Sequence, residues 1–186
     1  MKNNRSLLIS LVLLILVAAL YRIIPNRPWG FAPQIAMALF GGAVIKDRKW
    51  AFALPVFSMF LSDCLYELLY RGGVSTIQGF YEGQLTNYLL FAGITLIGFM
   101  IKKVNLLQVG IASLAAPLVY FVVSNGVVWL EGAGLQRPKT FAGLLQTYAD
   151  GLPFLQGSIL STVVFSAVLF GGYYLLRNNR ASLVHA

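Results

Sequence analysis

The sequence has little charge, one cysteine and one histidine. Of its 186 residues only 11% are charged and 58% are hydrophobic, whereas a soluble domain carries about 25% charged residues and under half apolar ones. A single cysteine excludes an internal disulfide, and a single histidine excludes a histidine-built metal cluster. The composition therefore excludes an ordinary cytosolic enzyme, a disordered tail and a nucleic-acid binder. It predicts a small polytopic membrane protein with a single membrane domain, residues 1–186.

Six apolar stretches predict six transmembrane helices. The first follows two basic residues, as a signal peptide would, but it is longer than the apolar part of a signal peptide and ends in Tyr21-Arg22. We therefore interpret it as a retained helix. The second stretch is short, about 22 Å at 1.5 Å per residue, so part of the preceding segment must lie at membrane depth or the helix must lie deep among its neighbours. The expected fold class is an all-α integral membrane bundle with helices at about 7–24, 31–45, 50–70, 85–101, 104–130 and 154–176.

The basic residues predict the orientation of this bundle. With six helices both termini lie on one side, and that side carries nine of the fourteen lysines and arginines but only one of the six acids, Asp47. The positive-inside rule therefore predicts that both termini are cytoplasmic. The net charge of +8 is then explained by topology and requires no nucleic acid. The basic residues of the opposite, outer side are Arg22, Arg27, Arg71, Arg137 and Lys139.

The loops of the outer side are long and hold most of the polar and aromatic side chains, while the inner connections are short. Binding residues concentrate on long loops that a rigid scaffold positions. We therefore expect the functional face to point outward. The sequence has no visible inverted repeat, which disfavours a self-contained transporter of the rocking type.

An acidic pair lies near the outer end of the predicted third helix. Asp63 and Glu67 are four residues apart, so both carboxylates lie on one face. Acids within a spanning segment usually face a polar cavity or a partner. Two interpretations stay open. The carboxylates accept hydrogen bonds from a polar ligand, or they lie in the headgroup zone and Asp63 pairs with Arg22, Arg27 or Arg71.

Cys64, between these two acids, is the only thiol. A lone cysteine in a membrane helix is more often a small packing residue. The alternative is a soft axial ligand to a transition metal in a bound cofactor, which requires a thiolate that faces a cavity.

An amide and an indole lie one helical turn apart near the outer end of the fifth helix. Asn125 and Trp129 suit a ligand with a flat face and polar edges. The alternative is an interfacial tryptophan, with Asn125 bonded to a neighbouring helix. Asp150 could cap the sixth helix or hold a loop over a ligand. The full set of predicted substrate-binding residues is Asp63, Cys64, Glu67, Tyr81, Asn87, Asn125, Trp129, Tyr148 and Asp150.

Pairs of small residues predict close helix contacts. Ser6 with Ser10, and Ala38 with Gly42, are each four residues apart, and such pairs allow close approach within the bundle or to a partner. The sequence has no Ser/His/Asp set, phosphate loop or metal-ligand motif, so we expect that the protein is not an enzyme. His185 is expected to be a tail residue.

Two regions of the sequence carry a resemblance to a known family. The run from Pro28 to Ala43 is followed by a short basic turn, then Ala53-Leu54-Pro55 and the helix end Leu61-Ser62-Asp63. This pattern resembles the substrate-binding S components of energy-coupling factor vitamin transporters and related uncharacterised bacterial six-helix families. The segments Ser124-Asn125-x-x-x-Trp129 and Gly151-Leu152-Pro153-Phe154 resemble those uncharacterised relatives.

The resemblance implies a multi-pass protein of the bacterial inner membrane that binds a scarce vitamin in an outward pocket. S components normally dock on a transmembrane coupling subunit driven by two ATPases. Many dock through an Ala-x-x-x-Ala pattern in the first helix, which this sequence lacks; Ser6/Ser10 or Ala38/Gly42 could substitute. Alternatively, the protein resembles the solitary S-type cobalamin transporters, in which a cysteine near the third helix ligates cobalt. Cobalamin is therefore the first expected substrate, with Cys64 as the axial ligand, and no resident cofactor is expected.

Two other functions stay open. A non-transporting structural subunit of a cell-envelope complex would have a filled core and outer polar residues that contact a partner. A membrane-embedded enzyme acting on lipid would need a reactive group of residues at one depth, for which Asp63 and Glu67 alone are thin support.

Overall fold

The computed structural model describes residues 2–132 and 136–184, and it describes the side chains of residues 9–132 and 136–175. Within these ranges all regular secondary structure is helical, as predicted. His185 lies outside the described residues, as does the side chain of Ser6. The helices are α1 (Lys2–Arg22), α2 (Gln34–Val44), α3 (Arg48–Arg71), α4 (Gln84–Phe99), α5 (Leu106–Glu131) and α6 (Phe141–Val184).

The predicted start of the sixth helix is wrong. We expected it at Phe154, after Pro153, but α6 begins at Phe141 and contains Pro153. Thr140 caps it, because its hydroxyl accepts a hydrogen bond of 3.2 Å from the Gly143 backbone amide. Proline disfavours a helix interior because it lacks an amide hydrogen and clashes with the preceding turn. Here the added turns are held by buried positions four residues apart, Gly143, Thr147 and Gly151.

Three helices are long and apolar enough to span a membrane: Arg48–Arg71, Leu106–Glu131 and Phe141–Leu175. The apolar parts of the other three are shorter, namely Ile9–Arg22, Gln34–Val44 and Gln84–Phe99. With 11 residues, α2 extends only about 16 Å at 1.5 Å per residue, well below the roughly 30 Å of a hydrocarbon core.

The short helix α2 is the centre of the bundle. It packs against α3, α4, α5 and α6, and its residues from Gln34 to Leu39 are all buried. Its closest approach is to α4, where a β-carbon on Gly42 would lie 2.8 Å from the α-carbon of Gly98. Ala38 is fully buried at the same crossing. The small pair Ala38/Gly42 is therefore used inside the bundle, in the contact between α2 and α4.

The irregular chain is concentrated at one end. The connections α2–α3 and α4–α5 comprise only residues 45–47 and 100–105. Side-chain caps tighten both, since the Asp47 carboxylate accepts from the Lys49 amide at 2.9 Å and the Asn105 side chain from the Gln108 amide at 2.9 Å. The other connections contain residues 23–33, 72–83 and, of the last one, the described residues 132 and 136–140; we call the end that carries them the loop-rich end.

Candidate functional site

Asp63 is the centre of a buried polar cluster at the loop-rich end. It is 1% exposed and forms an ion pair with the Arg22 guanidinium. Its other carboxylate oxygen accepts hydrogen bonds from the Gln84 amide and the Tyr88 hydroxyl, each at 2.7 Å. Of the two interpretations of Asp63, the structure therefore contains the one in which Asp63 pairs with an arginine, and that arginine is Arg22. Its oxygens are engaged by α1 and α4, which makes it a joint between helices.

Arg22, the last residue of α1, is bonded to this cluster through both its side chain and its backbone carbonyl. The Arg22 guanidinium also donates to the Ser62 hydroxyl at 2.5 Å. Tyr66, one turn after Ser62, donates from its hydroxyl to the Arg22 carbonyl at 2.6 Å. Because Arg22 is the last residue of α1, these contacts fix the point where the 23–33 connection starts.

Glu67 organises the second connection of this end. Its carboxylate pairs with Arg71 at 2.7 Å and accepts from the Gly79 backbone amide at 3.2 Å. Gly79 is buried against α3 so closely that a β-carbon would overlap the Asp63 carbonyl and the Glu67 amide. A glycine at position 79 is therefore what lets the 72–83 connection lie on the end of α3.

A cleft of about 90 Å³ lies between the start of α4 and the end of α5. We call it the α4–α5 cleft. Asn87 is at its wall, where its amide donates to the Tyr81 hydroxyl at 2.6 Å and its carbonyl accepts from the Tyr120 hydroxyl at 2.8 Å. The lining residues are Tyr81, Glu82, Gly83, Thr86, Asn87, Leu90, Ser124, Val127, Val128 and Glu131.

Two of the predicted substrate-binding residues, Tyr81 and Asn87, line this cleft. The two carboxylates of the cleft, Glu82 and Glu131, were not predicted as binding residues, because each lies in a segment whose sequence is typical of a polar loop or a helix end. The hydroxyl of Thr86 lies 3.5 Å from the Glu131 carboxylate and joins the two walls. The cleft thus combines a phenol, an amide and two carboxylates.

The remaining predicted residues of α5 and α6 bond within the chain. Asn125 donates to the Phe121 carbonyl at 2.8 Å, and Trp129 donates from its indole nitrogen to the Pro138 carbonyl at 3.0 Å. The Tyr148 hydroxyl donates to the Val122 carbonyl at 2.9 Å. The Trp129 and Tyr148 bonds fasten Pro138 and the start of α6 to α5, whereas the Asn125 bond stays within α5.

Asp150 is an interior residue of α6 and forms no helix cap, because the helix begins nine residues earlier at Phe141. Its carboxylate pairs with Arg137 through two guanidinium nitrogens, at 2.7 and 3.0 Å. The interpretation of Asp150 as the cap of the sixth helix is therefore wrong. The pair instead fixes the connection that leads into α6.

Cys64 is half-buried and free. It lines neither the α4–α5 cleft nor the second cleft of this end. Within the described residues no group of three or more His, Cys, Asp or Glu side chains could hold a metal ion. Of the Ser6/Ser10 pair only the side chain of Ser10 is described, and it is exposed on α1.

The second cleft is an open groove of about 400 Å³ between the first connection and α6, lined by Pro28, Trp29, Phe31, Pro153, Gln156, Gly157 and Leu160. Trp29 stacks on Phe154 with ring centroids 5.1 Å apart. Gly30, at φ +73°, is in a conformation that glycine adopts without steric cost. The Ser158 hydroxyl donates to its carbonyl at 3.3 Å. This groove is mostly apolar.

Gln34 is a further residue that the sequence interpretation missed. It is the first residue of α2 and is 2% exposed, and neither its side-chain amide nitrogen nor its side-chain carbonyl oxygen has a hydrogen-bond partner among the described residues. Leaving a buried polar group unpaired costs about 1–3 kcal/mol. The signal was present, since Gln34 is the lone amide in an apolar stretch.

The sequence from residue 2 to residue 183 matches the model of a protein family. No curated protein and no solved structure matches the chain. Since the family match spans nearly all of the sequence, the chain belongs to a family of unknown function, DUF6580.

Proposed function

We propose that this protein is the substrate-binding membrane subunit of an uptake system for a small polar micronutrient, of the S-component type. The observation that carries the proposal is the α4–α5 cleft, where polar groups of two helices and one loop converge. Pockets for small molecules are usually apolar clefts with a few convergent polar groups. The proposed ligand lies there, held by Asn87, Tyr81 and the hydroxyl of Ser124.

The proposed topology has six spans in a bacterial inner membrane, with both termini in the cytoplasm. Support comes from the nine basic residues on the side of the termini against five on the other. The short helices α2 and α4 cross the bilayer together with their connections. In this orientation the loop-rich end, and with it the α4–α5 cleft, points outward.

The proposed partner is an energy-coupling module, a transmembrane subunit with two ATPases. This partner is proposed because the short connections 45–47 and 100–105 leave no room for an ATPase domain in that part of the chain. Ala38 and Gly42 are buried in the contact between α2 and α4 and cannot dock a partner. We therefore propose that the docking surface lies on α1, whose exposed apolar side chains include Ile9, Leu13 and Val17.

Cobalamin remains a prediction from the sequence, and the geometry favours a smaller ligand. A cleft of about 90 Å³ is too small for a corrin ring, and Cys64 lies outside it. A cobalt-bound Cys64 would require a different pocket from the α4–α5 cleft.

A cleft-filling variant tests the proposal. Ser124→Leu places a larger side chain in the cleft at a position where the hydroxyl makes only a 3.4 Å bond within its own helix. The neighbouring Val123→Leu, on an exposed site outside the cleft, is the matched control. Each protein is purified in detergent, and any bound small molecule is extracted and identified by mass spectrometry.

We expect a co-purified ligand in the wild type and in Val123→Leu, and its loss in Ser124→Leu. The proposal fails if the wild type carries no small molecule and binds none from a vitamin panel by calorimetry. It also fails at this cleft if Ser124→Leu retains the ligand at full occupancy.

A structural subunit of an envelope complex is the second candidate. The extensive internal bonding of the loop-rich end favours it, since Trp129, Tyr148 and Asp150 all bond within the chain. That arrangement suits a rigid scaffold. A stable co-purifying protein together with an empty cleft would support this function over uptake.

A further inference from the structure

The end of the bundle opposite the loop-rich end carries a group of cations on its two short connections. We call it the short-loop end, and it comprises residues 45–47 and 100–105 with the first residues of α3 and α5. Its basic side chains are all exposed, namely Lys46, Arg48, Lys49, Lys102 and Lys103. None of them forms an ion pair with a described residue, since the ion pairs within the described part of the chain all lie at the loop-rich end.

The packing of α2 on α4 brings the two connections together. The helices cross where a β-carbon on Gly42 would lie 2.8 Å from the α-carbon of Gly98. Four residues after this crossing, each chain reaches its first lysine. Arg48, from the first connection, then lies over the end of α4, with its guanidinium carbon 5.6 Å from the ring centroid of Phe99. The cations of the two connections therefore belong to one surface.

Nothing else at this surface neutralises the cations. Asp47 is the only acid of the two connections, and its carboxylate caps α3 by accepting from the Lys49 backbone amide at 2.9 Å. The helices α3 and α5 start here and α2 and α4 end here. Helix starts are partially positive and helix ends partially negative, so these contributions nearly cancel. The side-chain cations therefore set a positive potential over the short-loop end.

The position of this surface indicates what it contacts. Both α3 and α5 are long and apolar enough to span a membrane, and the cations lie at or just before their first residues, which is the depth of the lipid headgroups. Apolar side chains stand out beside them, since Leu106 is 91% exposed, Met100 75% and Leu107 71%. A molecule with an anionic head and apolar chains matches both features, whereas a soluble anion would contact only the cations.

We propose that the short-loop end binds an anionic phospholipid, with the lipid phosphate among the lysines of the two connections and the acyl chains against Met100, Leu106 and Leu107. Basic clusters beside spanning helices attract anionic headgroups. This inference does not depend on the uptake proposal, because it concerns the opposite end of the bundle and holds for any function of the α4–α5 cleft.

The experiment compares lipids that differ in charge and carry the same chains. The full-length protein in detergent is titrated with dioleoyl phosphatidylglycerol, with dioleoyl phosphatidylcholine and with glycerophosphoglycerol, which is the anionic headgroup without chains. Native mass spectrometry measures the affinity of the first bound molecule. The variants are Lys46→Gln and Lys102→Gln, one from each connection, and their double variant. Lys139→Gln is the matched control, because it removes one positive charge at the loop-rich end.

We expect phosphatidylglycerol to bind more tightly than phosphatidylcholine, and glycerophosphoglycerol to bind far more weakly than either lipid. Lys46→Gln and Lys102→Gln should each weaken phosphatidylglycerol binding about fivefold, the factor for one lysine near an anionic membrane surface, and should leave phosphatidylcholine binding unchanged. Lys139→Gln should retain wild-type affinity. Binding of phosphatidylglycerol should weaken as the salt concentration rises. Because the substituted lysines are exposed, all variants should have the wild-type melting temperature without added lipid.

Four results would overturn the inference. Equal affinities for the two lipids, or equal weakening by Lys139→Gln, would show that the short-loop end does not select the charge. Weakening by only one of Lys46→Gln and Lys102→Gln would show that the two connections do not form one site. Glycerophosphoglycerol that binds as tightly as the lipid would indicate a site for a free phosphate ester. An acidic protein that co-purifies with the wild type, is lost in the double variant and binds in place of phosphatidylglycerol would assign the surface to a protein partner.

Discussion

Replacing Asp63 with asparagine removes the charge from one partner of the buried Arg22–Asp63 pair and nearly preserves the side-chain volume. The side chain of Asp63 is 2% exposed and that of Arg22 is 16% exposed. Removing one partner of a buried ion pair costs about 3–5 kcal/mol, because the other charge is left uncompensated. Arg22 retains the Ser62 hydroxyl at 2.5 Å and some contact with water.

We therefore expect the lower end of that range, about 3 kcal/mol. For a chain of this size the loss corresponds to a fall in melting temperature of about 6–12 °C. The melting temperature is measured in detergent by the intrinsic fluorescence of the three tryptophans, with equilibrium unfolding in SDS as a second measurement.

A matched variant and a double variant separate the ion pair from general damage. Glu67→Gln, four residues later, should lower the melting temperature much less, because its partner Arg71 is 76% exposed and screened by water. The double variant Arg22→Gln/Asp63→Asn removes both charges and should regain about 1 kcal/mol or more relative to the sum of the single variants.

The reasoning is refuted if Asp63→Asn and Glu67→Gln have equal melting temperatures, because the pair would then be as hydrated as a surface pair. If Asp63→Asn instead retains stability but loses ligand binding, Asp63 is a ligand-binding residue and the interpretation that it connects α1 and α4 is wrong.

Three further predictions test the packing and the thiol. Gly79→Ala should cost about 1–3 kcal/mol, because its β-carbon would overlap the backbone of α3; partial proteolysis within residues 72–83, faster than in the wild type, would show the loop displaced. Gly42→Ala should destabilise the protein by a similar amount, because its β-carbon would meet α4 at the α2–α4 crossing. The control Gly93→Ala places its β-carbon in open space and should be neutral or stabilise by up to about 1 kcal/mol. Equal melting temperatures of the two variants would contradict the close approach of α2 to α4. Cys64→Ser should leave expression and the affinity of a small ligand unchanged, and only a corrinoid substrate would bind it more weakly, as calorimetry with cobalamin measures.

The sequence was sufficient for the helical class and for the approximate position of five helices. Long apolar stretches separated by charged turns mark helices whatever their neighbours are, because each must satisfy its own backbone hydrogen bonds. The start of α6 could not be found this way. Pro153 is a helix breaker by local rules, and the preceding turns are held by tertiary contacts, among them the buried positions Gly143, Thr147 and Gly151 and the Tyr148–Val122 hydrogen bond.

The residues of the candidate site could likewise be predicted only in part from the sequence. The sequence marked Asp63 as an acid that needs a partner, but the choice among Arg22, Arg27 and Arg71 depended on how α1 crosses α3. Tyr81 and Asn87 were among the predicted binding residues, whereas Glu82 and Glu131 lie 49 residues apart in sequence and line one cleft only because α4 and α5 are neighbours.

By itself, then, the sequence determined the apolar character of the chain, its helical elements and the uneven placement of its charges, because these follow from composition and local periodicity. The tertiary structure decided which charges neutralise one another and which stay unpaired. That distinction depends on distances between residues far apart in the chain, and an ion pair or a cleft exists only once the helices have packed.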